Sequence, residues 1–162
     1  MTGIDFVVVT GMSGAGKSAA SRCLEDLGFF CIDNLPVALI PKVAELCAQS
    51  EKRIERVALV VDAREGSFLN GLFEILQDLR RDGHLVRVVF LDAGDEVLVR
   101  RFSESRRPHP MAPAGSAVAG IRAERERLAH LKTKADLVIN TSSFTVHEFR
   151  KLLATSFLDL IT

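Results

Sequence analysis

Residues 11–18 read Gly-Met-Ser-Gly-Ala-Gly-Lys-Ser, a G-x-x-x-x-G-K-S spacing that tolerates few folds around it. Before it, Ile4 to Val9 is a short, mostly β-branched run with the character of a buried strand. After it, Ala20, Cys23, Leu24 and Leu27 recur at i, i+3, i+4, i+7, the stripe of an amphipathic helix that Gly28 closes. Strand, glycine-rich turn and helix in that order make a phosphate-binding P-loop. Glycines let backbone N–H groups curl around an anion where side chains would obstruct them. In that geometry Gly11, Met12, Ser13, Gly14, Ala15, Gly16, Lys17 and Ser18 form the cradle. Lys17 reaches the β- and γ-phosphates, and the Ser18 hydroxyl is placed to ligate Mg²⁺. The helix that follows turns its positive end toward the anion, worth about 0.3–2 kcal/mol. The competing explanation, a tight strand-to-helix turn with an incidental lysine, leaves the whole spacing to chance.

Strand and helix patterns alternate to the end of the 162 residues, which predicts an α/β domain. Further strands are expected at Phe29–Ile32, Val57–Val61, Leu85–Leu91 and Leu137–Ile139, five in all, mostly parallel, with helices on both faces. A helix starts near Pro36 or restarts at Pro41, and Ile40, Val43 and Cys47 face one way along it. Phe68/Leu69, Leu72, Ile75/Leu76 and Leu79 give the cleanest helical stripe, ended by Gly83. Asp95 is placed to cap a helix through Phe102. Residues 106–117, with three prolines and a glycine, read as a long loop. The helix after it, about 118–133, has few apolar positions beyond Ile121, Leu128 and Leu131, so it is expected to bridge solvent rather than pack. Thr145-x-x-Glu148 is a capping box, flanked by Phe144 and Phe149 as a hydrophobic staple. Phe149, Leu152, Leu153 and Phe157 give the last helix its buried side.

Ligands in such sheets bind beyond the carboxyl ends of the strands, and Ser13, Asp33, Asp62 and Asp92 all fall there. Asp62, closing a hydrophobic strand, fits a carboxylate that holds Mg²⁺ directly or through water. Asp33 competes for the same role, and both are candidates to orient an attacking water. Asp92, in Asp-Ala-Gly-Asp, reads as turn and cap chemistry. Residues 100–134 carry nine Lys/Arg against three glutamates, a net +6 within a chain of net charge zero. Arg100, Arg101, Arg106 and Arg107 precede Pro108-His109-Pro110, the makings of an arginine-rich lid over a migrating phosphoryl group. His109 reads as a loop residue. Cys23, Cys31 and Cys47 show no C-x-x-C pairing and no metal-ligand spacing, and read as core thiols of a reducing compartment. Neither a secretory signal nor a stretch of the ~20 apolar residues that a membrane span needs is visible, so a cytoplasmic protein without a membrane partner is expected.

The segments G-M-S-G-A-G-K-S, C-I-D-N-L-P, V-D-A-R-E, F-L-D-A-G-D-E-V-L-V-R-R-F-S-E-S-R-R-P-H-P and A-D-L-V-I-N-T-S occur in this order between Phe6 and Leu153. Together they resemble the RapZ/YvcJ family of bacterial nucleotide-binding proteins, the RNase adapter family. The resemblance implies a kinase-like P-loop domain that binds ATP and GTP and hydrolyses both. It maps the family's ATP segment onto Gly11–Ser18 and its GTP-associated segment onto Asp62, Ala63, Arg64 and Glu65, where Asp-x-Arg is kept. One nucleotide could touch both segments. Members carry a second, C-terminal domain to which RNA and amino-sugar phosphate sensing are assigned. Residues 1–162 are therefore expected to form the P-loop domain alone, with an RNA or RNase partner engaged through the full-length protein and self-association left open.

Three functions are compatible with these features. The leading one is a regulatory nucleotide-binding domain with slow ATP/GTP hydrolysis, in which Lys17, Asp62, Asp33, Arg106 and Arg107 act on the phosphates. A small-molecule or nucleotide kinase would use the same parts with an acceptor under the lid. A nucleic-acid module would use the basic segment through phosphates alone, since the chain has no Trp or Tyr and that segment holds only Phe102.

Overall fold

A computed structural model of the chain describes residues 3–33, 35–49, 54–61, 68–105, 117–143 and 145–158. The hydrophobic run after Ile4 forms strand β1 (Asp5–Gly11), and the P-loop leads from it into helix α1 (Lys17–Asp26). Then come β2 (Phe30–Asp33), a 3₁₀ turn at Val37–Leu39, α2 (Ile40–Gln49) and β3 (Arg56–Val60). Helix α3 (Phe68–Arg81), β4 (Leu85–Asp92), α4 (Asp95–Ser105), α5 (Ala117–Lys134), β5 (Leu137–Asn140) and α6 (Val146–Leu158) complete the order. The ambiguity at the two prolines resolves into both: Pro36 precedes the 3₁₀ turn, and Pro41 sits in the first turn of α2, where its missing N–H costs nothing.

The five strands are parallel in the order β2-β3-β1-β4-β5. Right-handed crossovers fix the layers. The step from β1 to β2 runs one way across the sheet, and the steps from β2 to β3 to β4 to β5 run the other way. Helices α2, α3, α4 and α5 therefore lie on the face opposite α1, and α6 returns to pack on α1. The central strand is buried on both sides: Phe6, Val7, Val8 and Val9 are all at or below 1% exposure. The connection leaving β1 goes to one face while those leaving its neighbours β3 and β4 go to the other, so the turn after β1 sits at the topological switch point, where open α/β sheets form their crevice.

The last two helices show one expectation met and one corrected. At α6 the Thr145 Oγ1 accepts from the Glu148 N–H (3.1 Å) and Glu148 Oε1 accepts from the Thr145 N–H (3.4 Å), the reciprocal bonds of a capping box. Phe144, the other half of the expected staple, lies outside the described residues, as do the side chain of Phe157 and those of Phe68 and Leu69. Helix α5 does not bridge solvent. Ile121, Leu128 and Leu131 are buried to 2% or less, and Glu124, on the same stripe, is buried with them. Few apolar residues suffice because a polar member of the stripe has partners inside the protein.

Candidate functional site

The P-loop is shaped by contacts that leave little choice of residue. Gly11 stands at φ +142°, paired with Leu91, and a Cβ there would come within 2.1 Å of the Leu91 carbonyl oxygen. The Met12 N–H donates to that same oxygen (3.0 Å), and the Met12 side chain is fully buried below the turn. Gly16 (φ +109°) has open space around it, so glycine is required there by backbone conformation alone. The outer rim is tied down. Arg101 Nη1 donates to the Gly14 carbonyl (2.8 Å), Arg101 Nη2 to the Thr141 carbonyl (3.1 Å), and Thr141 Oγ1 to the Ala15 carbonyl (2.7 Å). A planar peptide opposes its C=O to the next N–H, so holding the Ala15 oxygen on the outside turns the Gly16 N–H inward.

The N–H groups of Gly14, Gly16 and Ser18 have no acceptor among the described residues. Helix α1 begins at Lys17 with no side-chain cap and no acidic residue in its first turn, so its positive end is left for an external anion. Lys17 Nζ lies across the loop and donates to the Gly11 carbonyl (3.2 Å). Unpaired amides, a helix N-terminus and an ammonium converging on one turn can bind a polyphosphate.

A carboxylate stands on the same loop. Glu124 of α5, 2% exposed, accepts from the Ser13 N–H at Oε1 (2.8 Å) and from the Ser13 hydroxyl at Oε2 (2.6 Å). One residue on, Arg125 Nη1 donates to both oxygens of buried Asp92 (2.9 and 3.0 Å), and its Nε and Nη2 reach Asp95 Oδ1 (2.9 and 2.6 Å). Lys132 Nζ adds a third hold on Asp92 (2.7 Å). Burial opposes the Asp92 charge, but the bonds from Lys132, the Ala93 N–H and Arg125 outweigh it and hold its pKa below the usual carboxylate value. Together these ties fix α5 to the end of β4 and so fix Glu124 against the P-loop.

A model of the RapZ-like N-terminal domain matches residues 4–159. The chain belongs to the RapZ-like family. A nucleotide-binding protein of Clostridium botulinum (strain Hall) is 54% identical over 148 residues, 91% of this chain and 50% of that one. One of Desulforudis audaxviator is 53% identical over 154 residues, 95% of this chain and 52% of that one. The chain thus spans about half the length of these curated relatives. Among solved structures, shikimate kinase from Bacteroides thetaiotaomicron superposes with a TM-score of 0.66 at 18% identity, covering 95% of this chain and 98% of that one. A gluconokinase from Sinorhizobium meliloti 1021 gives 0.58 at 18% identity, covering 99% and 95%. The fold of this RapZ-like chain is that of the P-loop kinases.

Against this frame the expected residues separate. Gly11 to Ser18 come together as one cradle. Asp33 ends β2, the edge strand, with β3 between it and β1, and is exposed. Asp62, Ala63, Arg64 and Glu65, and Arg106 and Arg107, lie outside the described residues. Val61, the last described residue before Asp62, donates its N–H to Val9 (2.9 Å) and so leaves β3 beside the strand that opens the P-loop. Among the described residues no cluster of three or more His, Cys, Asp or Glu could hold a metal on its own. Two expectations need correction. Asp95 gives its carboxylate to Arg125 instead of capping α4. Three cations of the basic segment, Arg101, Arg125 and Lys132, are engaged inside the domain.

Cys23 and Cys47 lie in the core as expected, whereas Cys31 is half-buried against it. Burial pushes the Cys47 thiol up, and at Cys31 burial outweighs the hydrogen bond with the Ser21 side chain to do the same, so both stay protonated at neutral pH. Glu124 is the residue that sequence reasoning missed. Its signal was present: it is the acid on the Ile121–Leu128–Leu131 stripe, and an acid on an apolar stripe needs a buried partner.

Proposed function

We propose that the chain binds ATP and GTP as their Mg²⁺ complexes at Gly11–Ser18 and hydrolyses them slowly, serving as the nucleotide-responsive half of a longer regulatory protein. The observation that carries this reading is that the amides of Gly14, Gly16 and Ser18, at the uncapped start of α1, have no acceptor among the described residues, with Lys17 lying across them. The relatives that share half their length with this chain are named nucleotide-binding proteins, which supports it. The amides and Lys17 take the β- and γ-phosphate oxygens and hold the terminal phosphorus in place. Ser18 has a hydroxyl at the first turn of α1, and Asp62 follows the strand beside β1; these two would hold Mg²⁺, which neutralises phosphate charge when bound. Asp33 and Asp62 are the candidates to orient the attacking water, and Arg106 and Arg107 to balance charge on the leaving phosphate. Asp62 to Glu65 supply the GTP-associated contacts.

We place any RNA- or RNase-linked role in the longer protein. The basic segment supports a direct nucleic-acid role weakly, because Arg101, Arg125 and Lys132 already shape the loop and anchor α5. Calorimetric titration of MgATP and MgGTP into wild type and Lys17→Ala tests the reading. Wild type should bind both, and the variant, with an unchanged melting temperature, should lose at least tenfold in affinity. Equal affinity in the two proteins removes the assignment.

A further inference from the structure

Glu124 is an anion built into an anion site. Its two oxygens take the N–H and the hydroxyl of Ser13, the third residue of the P-loop, at 2.8 and 2.6 Å. The position of Ser13 along the cradle is set by Lys17. The ammonium that reaches β- and γ-phosphates rests on the carbonyl of Gly11, two residues before Ser13, so Ser13 belongs to the terminal-phosphate end of the loop. The amide end formed by Gly16 and Ser18, at the start of α1, is the other end. The helix that carries Glu124 is held in place, because the neighbouring Arg125 and, two turns on, Lys132 are both bonded to Asp92, so only the Glu124 side chain is left to shift.

We propose that Glu124 is a specificity-determining residue of the phosphate loop, a fixed negative charge at its terminal-phosphate end that weighs nucleoside triphosphate against diphosphate. This inference rests on the nucleotide-binding reading above. A carboxylate near the γ-phosphate disfavours the ligand that carries the extra charge there, while leaving the α- and β-phosphate contacts common to both ligands. The triphosphate is then held only with its cation and with Glu124 shifted from Ser13. Loss of the γ-phosphate lets the carboxylate return to the Ser13 N–H and hydroxyl. No covalent step is assigned to it.

The test measures dissociation constants for MgATP and MgADP with wild type and with Glu124→Gln, an amide of the same shape that can still accept from the Ser13 N–H. Removing one unit of charge a few Å from a phosphate should move the ATP:ADP affinity ratio about tenfold or more toward ATP. If Glu124→Gln fails to fold, Ser13→Ala carries the test, since deleting the hydroxyl releases one of the carboxylate's two holds and should shift the ratio the same way. A ratio unchanged within threefold in a folded Glu124→Gln or, failing that, in Ser13→Ala, with both nucleotides still bound, overturns the role of Glu124 and leaves the nucleotide reading intact. A wild type that binds neither nucleotide overturns both.

Discussion

Two glycines of the P-loop should respond differently to the same substitution. Gly11 and Gly16 both sit at positive φ, +142° and +109°, where an L side chain is strained. That strain is worth about 1–2 kcal/mol at either position. At Gly16 nothing lies within 4 Å of the added Cβ, so the strain is the whole cost. At Gly11 the Cβ would stand 2.1 Å from the backbone oxygen of Leu91, which cannot rotate away. β1 and β4 must part there, and the Met12 N–H loses its bond to the same oxygen, a further loss of about 1–3 kcal/mol for a buried donor. Gly11→Ala should therefore destabilise by roughly 2–5 kcal/mol and Gly16→Ala by about 1–2 kcal/mol. With about 2–4 °C per kcal/mol in a domain of this size, Gly11→Ala should melt several degrees below Gly16→Ala. Circular-dichroism melts of the two variants and wild type decide the matter. Equal shifts would refute the idea that contact with Leu91, beyond conformational freedom, dictates glycine at the end of β1.

Two further outcomes concern the scaffold. Asp92 has a native pKa below its unfolded value, so it contributes stability that is fully present above about pH 4 and is lost as pH falls through the native value. Urea unfolding from pH 7 to pH 3 should show that loss in wild type and a flatter profile in Asp92→Asn; parallel profiles would contradict the ion-pair anchor. Thr145→Ala removes the exposed N-cap of α6 and should cost about 1 kcal/mol, or roughly 2–4 °C in melting temperature. No change would mean that the helix is held by packing alone.

The parts of this molecule that local chemistry dictates were legible in the residues. The P-loop, the stripe of α1 and the capping box of α6 each depend on neighbours within a few positions, and each stands where the spacing places it. The parts set by partners far along the chain were not. Glu124 lies 111 residues from Ser13, and its burial made α5 a packed helix where its polarity pointed to solvent. Arg101, 87 residues from Gly14, was one of several interchangeable arginines by sequence and is a fixed support of the loop in the fold. Asp92 read as a turn residue because its bond to the Ala93 N–H is local, whereas its cations come from α5. Strand order, too, depends on crossover direction rather than on any residue pattern.

The central claim, that main-chain amides at the start of α1 take the phosphates, is most directly tested by amide NMR on isotope-labelled protein. On adding MgATP, the largest shifts should fall on the N–H signals of Gly14, Gly16, Lys17 and Ser18, saturating with the titrant. Shifts confined to other regions, with those four signals unmoved at saturation, would contradict it.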